Sequence, residues 1–545
     1  MFALGQKRTH ALQPSLAEER YLLWGSVVQI PDVTFRVPFE YLSSIFRIQL
    51  TCARISRAII EPAMQSGQLR IRSSNHVTLA VPPSLNSITT YVLLEQETWF
   101  EKELNFLSRW LKPGMTAIDV GANLGVYALP IARLVGPNGR VFAYEPGSEA
   151  RGLLKESRDI NVASNLEIFD LALSDGERDG RLLVGASSEL NTLGDGGAGE
   201  LVHITNLDIE NSKRGWPPPD FIKIDAEGEE ERILAGGRDF FARHSPLIMF
   251  EINAGAGINE NLRAAFPAIG YQLFRLLVGA PILVPLDPRL PVDPFEVNLF
   301  ACKPDRIRLL RDGGFVVDQF LTWAANGEAI TNGLSVLQKQ AFAPMFGHLL
   351  DNAKYIDCDY AKALAAFAVW RANDLPARMR CAALFFAYQT LATLCNRAPT
   401  TARYSTFARV AWEGGWRGES VMALRQVAAY IQRIPFQPTE PCWPVNPRFD
   451  DLNVASNPVL WFATAVAEQL ERSQSYSTYF SGMSPWLAWL CDRPAASHEM
   501  HRRKTLLAAR EGITPIVPSC LRKEAPDHLN AHLWRSGMVA GTRLA

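Results

Sequence analysis

The chain has 545 residues, with 48% apolar and 20% charged side chains and a formal net charge of −1. That length exceeds what a single hydrophobic core organises, so more than one domain is expected. Near-neutral charge offers no general attraction to nucleic acid or an anionic membrane; nucleic acid is not expected as a partner, while a peripheral association with a membrane complex stays open. The eight cysteines are scattered, with no C-x-x-C pair and no Cys/His cluster at zinc spacing. That usage fits reduced thiols in the cytoplasm better than a disulfide framework. The first ten residues lack a secretory apolar stretch, and charged residues interrupt every candidate membrane span, so no transmembrane segment is expected.

Taken in chain order, residues 1–90 read as an N-terminal extension with short strands at Leu69–Arg72 and Val77–Val81, the second ended by Pro82-Pro83. The apolar spacing of Trp99, Phe100, Leu104, Leu107 and Leu111 predicts one helix over Tyr91–Leu111, stopped by Lys112-Pro113-Gly114. Five buried strands are then expected, at 117–120, 140–144, 166–169, 221–224 and 247–250. They alternate with helices at 124–135 (kinked at Pro130), 149–161, 229–242 and 260–266. This alternation predicts an α/β fold, a doubly wound, mostly parallel sheet with helices on both faces. Residues 271–276 and 297–301 read as a terminal antiparallel hairpin joined by a Pro-rich loop over 281–294.

Beyond about residue 306 strand signals give way to Ala/Leu-rich amphipathic segments, clearest at 360–370, 378–395, 404–412, 419–432 and 459–472. An all-α region over 306–545 follows, after a catalytic domain over 91–305. Its helical hairpin around Gly414-Gly415 reads equally as one tetratricopeptide-type unit or as part of a plain bundle, since a solenoid needs repeated copies. The 25 residues from 521 onward read as loosely ordered.

The chemistry concentrates at the strand ends. Ile118-Asp119-Val120-Gly121-Ala122-Asn123-Leu124-Gly125 follows the first predicted strand of the parallel sheet and opens its helix. Glycines there let a ligand approach the backbone. Glu145 follows at the tip of the next strand, where a carboxylate can accept hydrogen bonds from both ribose hydroxyls. A dinucleotide would place its pyrophosphate on this turn, and the carboxylate of Asp119 would repel it. S-adenosylmethionine carries an ammonium and a sulfonium instead, and the Gly-x-x-x-Gly spacing also departs from the dinucleotide pattern, so S-adenosylmethionine is the expected cofactor. Asp119, Gly121, Asn123, Gly125 and Glu145 are its candidate residues, with Asp170 or the backbone at Leu171 and Ala172 for the adenine.

Asp225 and Glu227 follow the fourth strand and Glu251 ends the fifth. An alcohol acceptor must lose its proton, so these three are the candidate catalytic residues. One of them takes the proton, or two or three hold Mg²⁺; the residue types leave both open. The run Glu229–Glu231 reads as helix-dipole stabilisation, Lys223 as edge-facing or snorkelling, and His203 and His244 as structural or solvated. The Gly/Ser-rich loop over 185–199, with Asn191, is a candidate lid over the substrate.

With these residues in view, the chain resembles the FkbM family of methyltransferases over about 91–303. The elements that carry the likeness are the 118–125 turn, Tyr144-Glu145-Pro146, Leu171–Asp175, Thr205–Asp208 (with Asn206 inserted between Thr and Leu), Phe221-Ile-Lys-Ile-Asp225-Ala-Glu227-Gly228 (with Ala226 for the usual Val) and Pro246–Glu251. The resemblance implies a class I, Rossmann-like methyltransferase fold and O-methylation of a hydroxyl on a sugar, polysaccharide or glycolipid precursor. The helical region lies outside it. There Trp370, Trp412, Trp416, Trp443, Trp461, Trp486 and Trp489 either offer faces to sugars or fill a core. The alternative reading is a non-catalytic scaffold whose helical region recruits a protein partner in glycan biosynthesis; the intact Asp119, Gly121, Asn123, Gly125 and Glu145 argue against it.

Overall fold

The computed structural model describes residues 69–183, 185, 187–194, 199–254, 257–351, 356–454, 456–536, 538, 539, 542 and 543. Most of the expected N-terminal extension, residues 1–68, lies outside the described residues. The description starts with an antiparallel pair, β1 (Leu69–Ser73) and β2 (Val77–Val81), whose alternate residues Ile71, Leu79 and Val81 are buried. Two helices follow in place of the single expected one: α1 (Ile88–Gln96) and α2 (Glu103–Trp110). The break begins at Glu97, whose φ of 59° is left-handed. Its carboxylate accepts the N–H groups of Leu529 (2.7 Å) and Asn530 (3.1 Å), and Arg502 lies 3.4 Å away. These distant groups, and no local Gly or Pro, stop the helix.

The main sheet comprises β3 (Thr116–Val120), β4 (Arg140–Tyr144), β5 (Leu166–Phe169), β10 (Phe221–Ile224), β11 (Leu247–Glu251), β14 (Gln272–Leu277), β15 (Ile282–Pro285) and β16 (Asn298–Cys302), in the order β15-β14-β16-β11-β10-β3-β4-β5. The five expected strands run parallel, and β16, β14 and β15 join antiparallel. This is the class I methyltransferase topology with one strand added at the edge. The added β15 comes from the segment expected as loop, where Ile282, Leu283 and Val284 are buried.

Helices α3 (Ala128–Val135) and α4 (Ser148–Ile160) connect β3 to β4 and β4 to β5. Because α3 starts four residues later than the sequence suggests, Pro130 falls in its first turn, where a missing N–H costs no helical bond, and no kink is required. A second sheet interrupts the alternation, with β6 (Leu171–Leu173), β7 (Arg178–Leu183), β8 (Thr192–Gly194) and β9 (Glu200–Thr205) in the order β6-β9-β7-β8. The segment expected as a lid is thus partly strand. After α5 (Leu207–Arg214) and β10, the predicted 229–242 helix is split into α6 (Glu230–Ala235) and α7 (Arg238–Arg243) at Gly236-Gly237. A Cβ on Gly236 would sit 2.2 Å from the Ser174 carbonyl oxygen, so the pair marks a close approach of chains. Short strands β12 (Asn253–Ala254) and β13 (Gly257–Ile258), then α8 (Glu260–Ala268), complete the sheet region.

The rest is helical: α9 (Pro304–Asp312), α10 (Gly327–Gln338), α11 (Cys358–Arg371), α12 (Ala377–Arg397), α13 (Thr401–Glu413), α14 (Arg417–Arg433), α15 (Pro458–Gln474), α16 (Pro485–Leu490), α17 (His498–Arg510) and α18 (Ala531–Arg535). This region is packed onto the antiparallel edge of the sheet. The Gly279 N–H donates to the Glu413 carbonyl (2.8 Å), and Leu277, Ile282 and Val284 share a core with Leu364, Leu384 and Trp443. Trp370, Trp443 and Trp461 are core residues, not sugar platforms. Among the described residues beyond 520, Leu521 and Trp534 are buried in one core with Leu506 and Val517, and Ala531 is buried too, so the loose ordering expected there does not extend to them. Among the described residues no helix is long and apolar enough to cross a membrane, and Cys302, Cys358, Cys381, Cys395, Cys442, Cys491 and Cys520 are free thiols.

Candidate functional site

The carboxyl ends of β3, β4, β10 and β11 open onto a cleft with a cavity volume of about 230 Å³. The turn after β3 adopts left-handed backbone at Gly121 (φ 75°) and Asn123 (φ 46°). A Cβ on Gly121 would lie 1.8 Å from the Asp225 carbonyl oxygen, so only glycine lets the exits of β3 and β10 pass this closely. Gly125 (φ 88°) serves packing instead. A Cβ there would meet Leu154 of α4 at 2.5 Å, and Gly125 does not line the cleft.

Asp119 is fully buried, and neither carboxylate oxygen has a hydrogen-bond partner. Its cross-strand neighbour on β10 is Lys223, whose ammonium stands 4.0 Å from Asp119 and 2.6 Å from Asp225 Oδ2. Burial pushes Asp119 up to about 6, with Lys223 opposing that shift. For Lys223 burial works against the charge, yet Asp225, Asp119 and Glu101 hold the ammonium above its ordinary range. The expectation that Lys223 is edge-facing or snorkelling is corrected. Strand β10 is central, and Lys223 is 4% exposed, inside the site. The i, i+2 spacing of Lys223 and Asp225 on one strand was the signal for it.

Glu145 braces the same turn. Its Oε2 accepts the Asn123 N–H (2.8 Å) and its Oε1 the Gly147 N–H (2.8 Å), while burial pushes it up to about 7. Asn123 Oδ1 is buried without a partner. Leu171, Ala172 and Leu173 line the cleft, whereas Asp170 is exposed and does not line it. Asn191 also lines the cleft, and its Oδ1 accepts the Gly185 N–H (2.9 Å).

Asp225, Glu227 and Glu251 converge, each offering a carboxylate oxygen within 4.8 Å of the others. Glu227 occupies a left-handed position (φ 46°) in a turn that Glu230 ties together by accepting the N–H groups of Ala226 (2.9 Å) and Gly228 (3.1 Å). Glu229 is tied down by Ser174 (2.5 Å) and Arg232 (3.0 Å), so the acidic run is structural beyond its dipole role. Desolvation within the cleft, with repulsion from Asp225 and Glu230, pushes Glu227 up to about 8. Burial, then Asp225 and Glu227, push Glu251 well above its usual range. Crowded carboxylates of this kind can hold a proton at neutral pH or bind a divalent cation.

Trp99, Phe100 and Glu101, from the break between α1 and α2, form the facing wall. Glu101 accepts the Tyr127 hydroxyl and the Asn298 side-chain amide (2.9 Å). Nothing local in the sequence points to Glu101, because the helix break that presents it depends on residues around 502 and 529. His203, exposed and 2.5 Å from Asp179, and His244 do not line the cleft.

Residues 119–273 match the family described as the methyltransferase FkbM domain. Among solved structures the chain is similar to methyltransferase FkbM from Methylobacillus flagellatus KT (18% identity, 34% of this chain and 43% of that one, TM-score 0.24). It is also similar to precorrin-6y C5,15-methyltransferase from Geobacter metallireducens GS-15 (15%, 37% and 86%, TM-score 0.23). A third is a SAM-dependent O-methyltransferase from Thermotoga maritima (15%, 37% and 64%, TM-score 0.22). The chain thus spans less than half the length of the Methylobacillus protein. A comparison with curated proteins found no match.

Proposed function

We propose that this chain, which carries an FkbM methyltransferase domain at residues 119–273, is a cytoplasmic S-adenosylmethionine-dependent O-methyltransferase acting on a hydroxyl of a sugar, polysaccharide or glycolipid precursor. The observation that carries the cofactor is Asp119, a fully buried carboxylate at a glycine turn whose oxygens make no hydrogen bond and whose neighbouring ammonium, Lys223, stands 4.0 Å away and is paired with Asp225. Such a group is costly unless a cation or donor completes it, and the cofactor's ammonium is one. Asn123 Oδ1, also unpartnered, adds a second acceptor. Glu145 uses one lone pair of each oxygen on the turn and keeps the others for ribose hydroxyls, while the backbone at Leu171 and Ala172 borders the adenine.

When bound, S-adenosylmethionine supplies an electrophilic methyl group on its sulfonium. The chain must then orient the acceptor and take its proton. Lys223 keeps Asp225 paired, while Glu227 is pushed up to about 8, so its ionised form is a minority at neutral pH but a strong base for a carboxylate, and turnover that uses it should rise as pH climbs through about 8. Glu227 therefore takes the hydroxyl proton at a carboxylate oxygen, with Glu251 and Glu101 closing the pocket. The same three carboxylates fit Mg²⁺, which Asp225, Glu227 and Glu251 would hold and which would acidify the hydroxyl.

Calorimetric titration with S-adenosylhomocysteine beside NADH tests the reading. Saturable binding of the first alone is expected. Binding of NADH alone, or of neither ligand by folded protein, overturns it. Turnover with and without EDTA then decides whether the carboxylates work through a metal.

A further inference from the structure

A second chamber adjoins the cleft, with a cavity volume of about 340 Å³. Phe100, Glu101 and Val297 border both, so a molecule filling the second chamber reaches the carboxylates across one shared wall. The chamber exists only because the helical region meets the sheet. Trp412 comes from the last turn of α13, Arg417 opens α14, Gln469 and Arg472 come from α15, and Arg503 from α17.

Its charges fall into two groups. Arg448, Arg472 and Arg503 are ion-paired with Glu468 and Glu499 at 2.8–3.2 Å. Lys102 and Arg417 are not. Lys102 is accessible within the chamber and has no carboxylate within 4.0 Å among the described residues. Arg417 donates to the carbonyls of Ser473 (2.8 Å) and Arg472 (3.3 Å), and lies 5.0 Å from the ring centre of Phe295 and 4.1 Å from that of Tyr476. Four acids line the chamber, Glu101, Glu103, Glu296 and Glu499. Burial, then Glu101 for Glu103 and Glu103 for Glu296, push these two up to about 8 and favour their protonated forms at neutral pH, while Glu499, whose charge also acts on Lys102, is already paired with Arg472 and Arg503.

We infer that this chamber is the acceptor site and that it takes an anionic sugar, bearing phosphate or carboxylate, with the anion on Lys102 and Arg417 and the ring against Phe295, Tyr476 and Trp412. The aromatic walls supply apolar faces, Gln469 supplies hydrogen bonds, and the unpaired cations supply the charge selection. This rests on the methyltransferase reading for its chemistry, but the anion site itself requires no cofactor.

The test titrates the full chain, with and without saturating S-adenosylhomocysteine, with glucose 6-phosphate, glucuronate and neutral glucose. At least one anionic sugar is expected to bind tenfold or more tightly than glucose. Lys102→Ala and Arg417→Gln are each expected to weaken it tenfold or more while the S-adenosylhomocysteine affinity stays unchanged. Glucose binding as well as both anions, saturation by neither anion, or anion binding that survives both substitutions overturns the inference. Loss of S-adenosylhomocysteine binding with anion binding retained would instead overturn the cofactor reading alone.

Discussion

The molecule buries charge in two places and treats it in opposite ways. In the helical region Arg409 is 1% exposed by its side chain, yet its guanidinium is used up: it donates to Glu413 (2.5 Å), to Asp450 (2.7 and 3.2 Å) and to the Pro444 carbonyl (3.0 Å). Arg371 also reaches Asp450, and the Trp370 indole N–H donates to Glu413 (2.6 Å). At the carboxyl ends of the central strands Asp119 is equally buried and makes no hydrogen bond, and three carboxylates crowd together beside one ammonium. A satisfied buried network is a structural element, because its parts need nothing from outside. An unsatisfied one is tolerated only where something else completes it, and that difference separates the scaffold from the site.

The contrast can be broken most forcefully at Asp450. Asp450→Ala leaves Arg409 short of its main partner and is expected to cost about 3–5 kcal/mol of stability, read by urea unfolding, while the folded fraction still binds S-adenosylhomocysteine. In the cleft the opposite holds. Glu227→Gln is expected to lower kcat about 10²–10³-fold with cofactor affinity and midpoint unchanged; a loss of stability of Asp450→Ala size would make Glu227 a structural residue.

Asp119→Asn sharpens the comparison further. It should weaken S-adenosylhomocysteine binding by about 1.5–3 kcal/mol without destabilising the free protein. Because Asp119 is raised to about 6, its protonated form is favoured in the folded state and its ionised form binds the ammonium. Ligand affinity should therefore rise as pH climbs through about 6. The free protein should lose up to about 3 kcal/mol between the unfolded value of 3.8 and 6. Both trends should be absent in Asp119→Asn. The smallest effect is expected at His203. Its pairing with Asp179 is exposed, and His203→Ala should change stability by less than about 0.5 kcal/mol and leave turnover intact.

What could be read in the sequence follows from the range of the forces involved. The strands at 117–120, 140–144, 221–224 and 247–250 are short apolar runs, and the turn at Gly121 carries its own backbone requirement, so both announced themselves locally. Asp119 and Glu145 were legible because the turn fixes where they stand. The break after Gln96 was not, since its partners lie at Arg502, Leu529 and Asn530, and with it went Glu101, Lys102 and the facing wall. Lys223 reads as an edge residue because a charged side chain in an apolar strand looks like one unless the carboxylate two positions on, Asp225, is taken together with it. The second sheet was hidden by Gly-rich, weakly patterned strands such as 192–194, and β15 by the prolines around it.

The residue that breaks the helix is clasped by a group 432 positions further along the chain. A ribosome issuing roughly 5–20 residues per second leaves an interval of roughly 20–90 s between the two. During that interval the nascent protein can assemble its glycine turn and parallel strands while Trp99, Phe100 and Glu101 remain unfastened. Competence is therefore scheduled by translation: the glycine turn and the strand ends around it are finished early, and the wall of Trp99, Phe100 and Glu101 waits until residues around 529 have emerged.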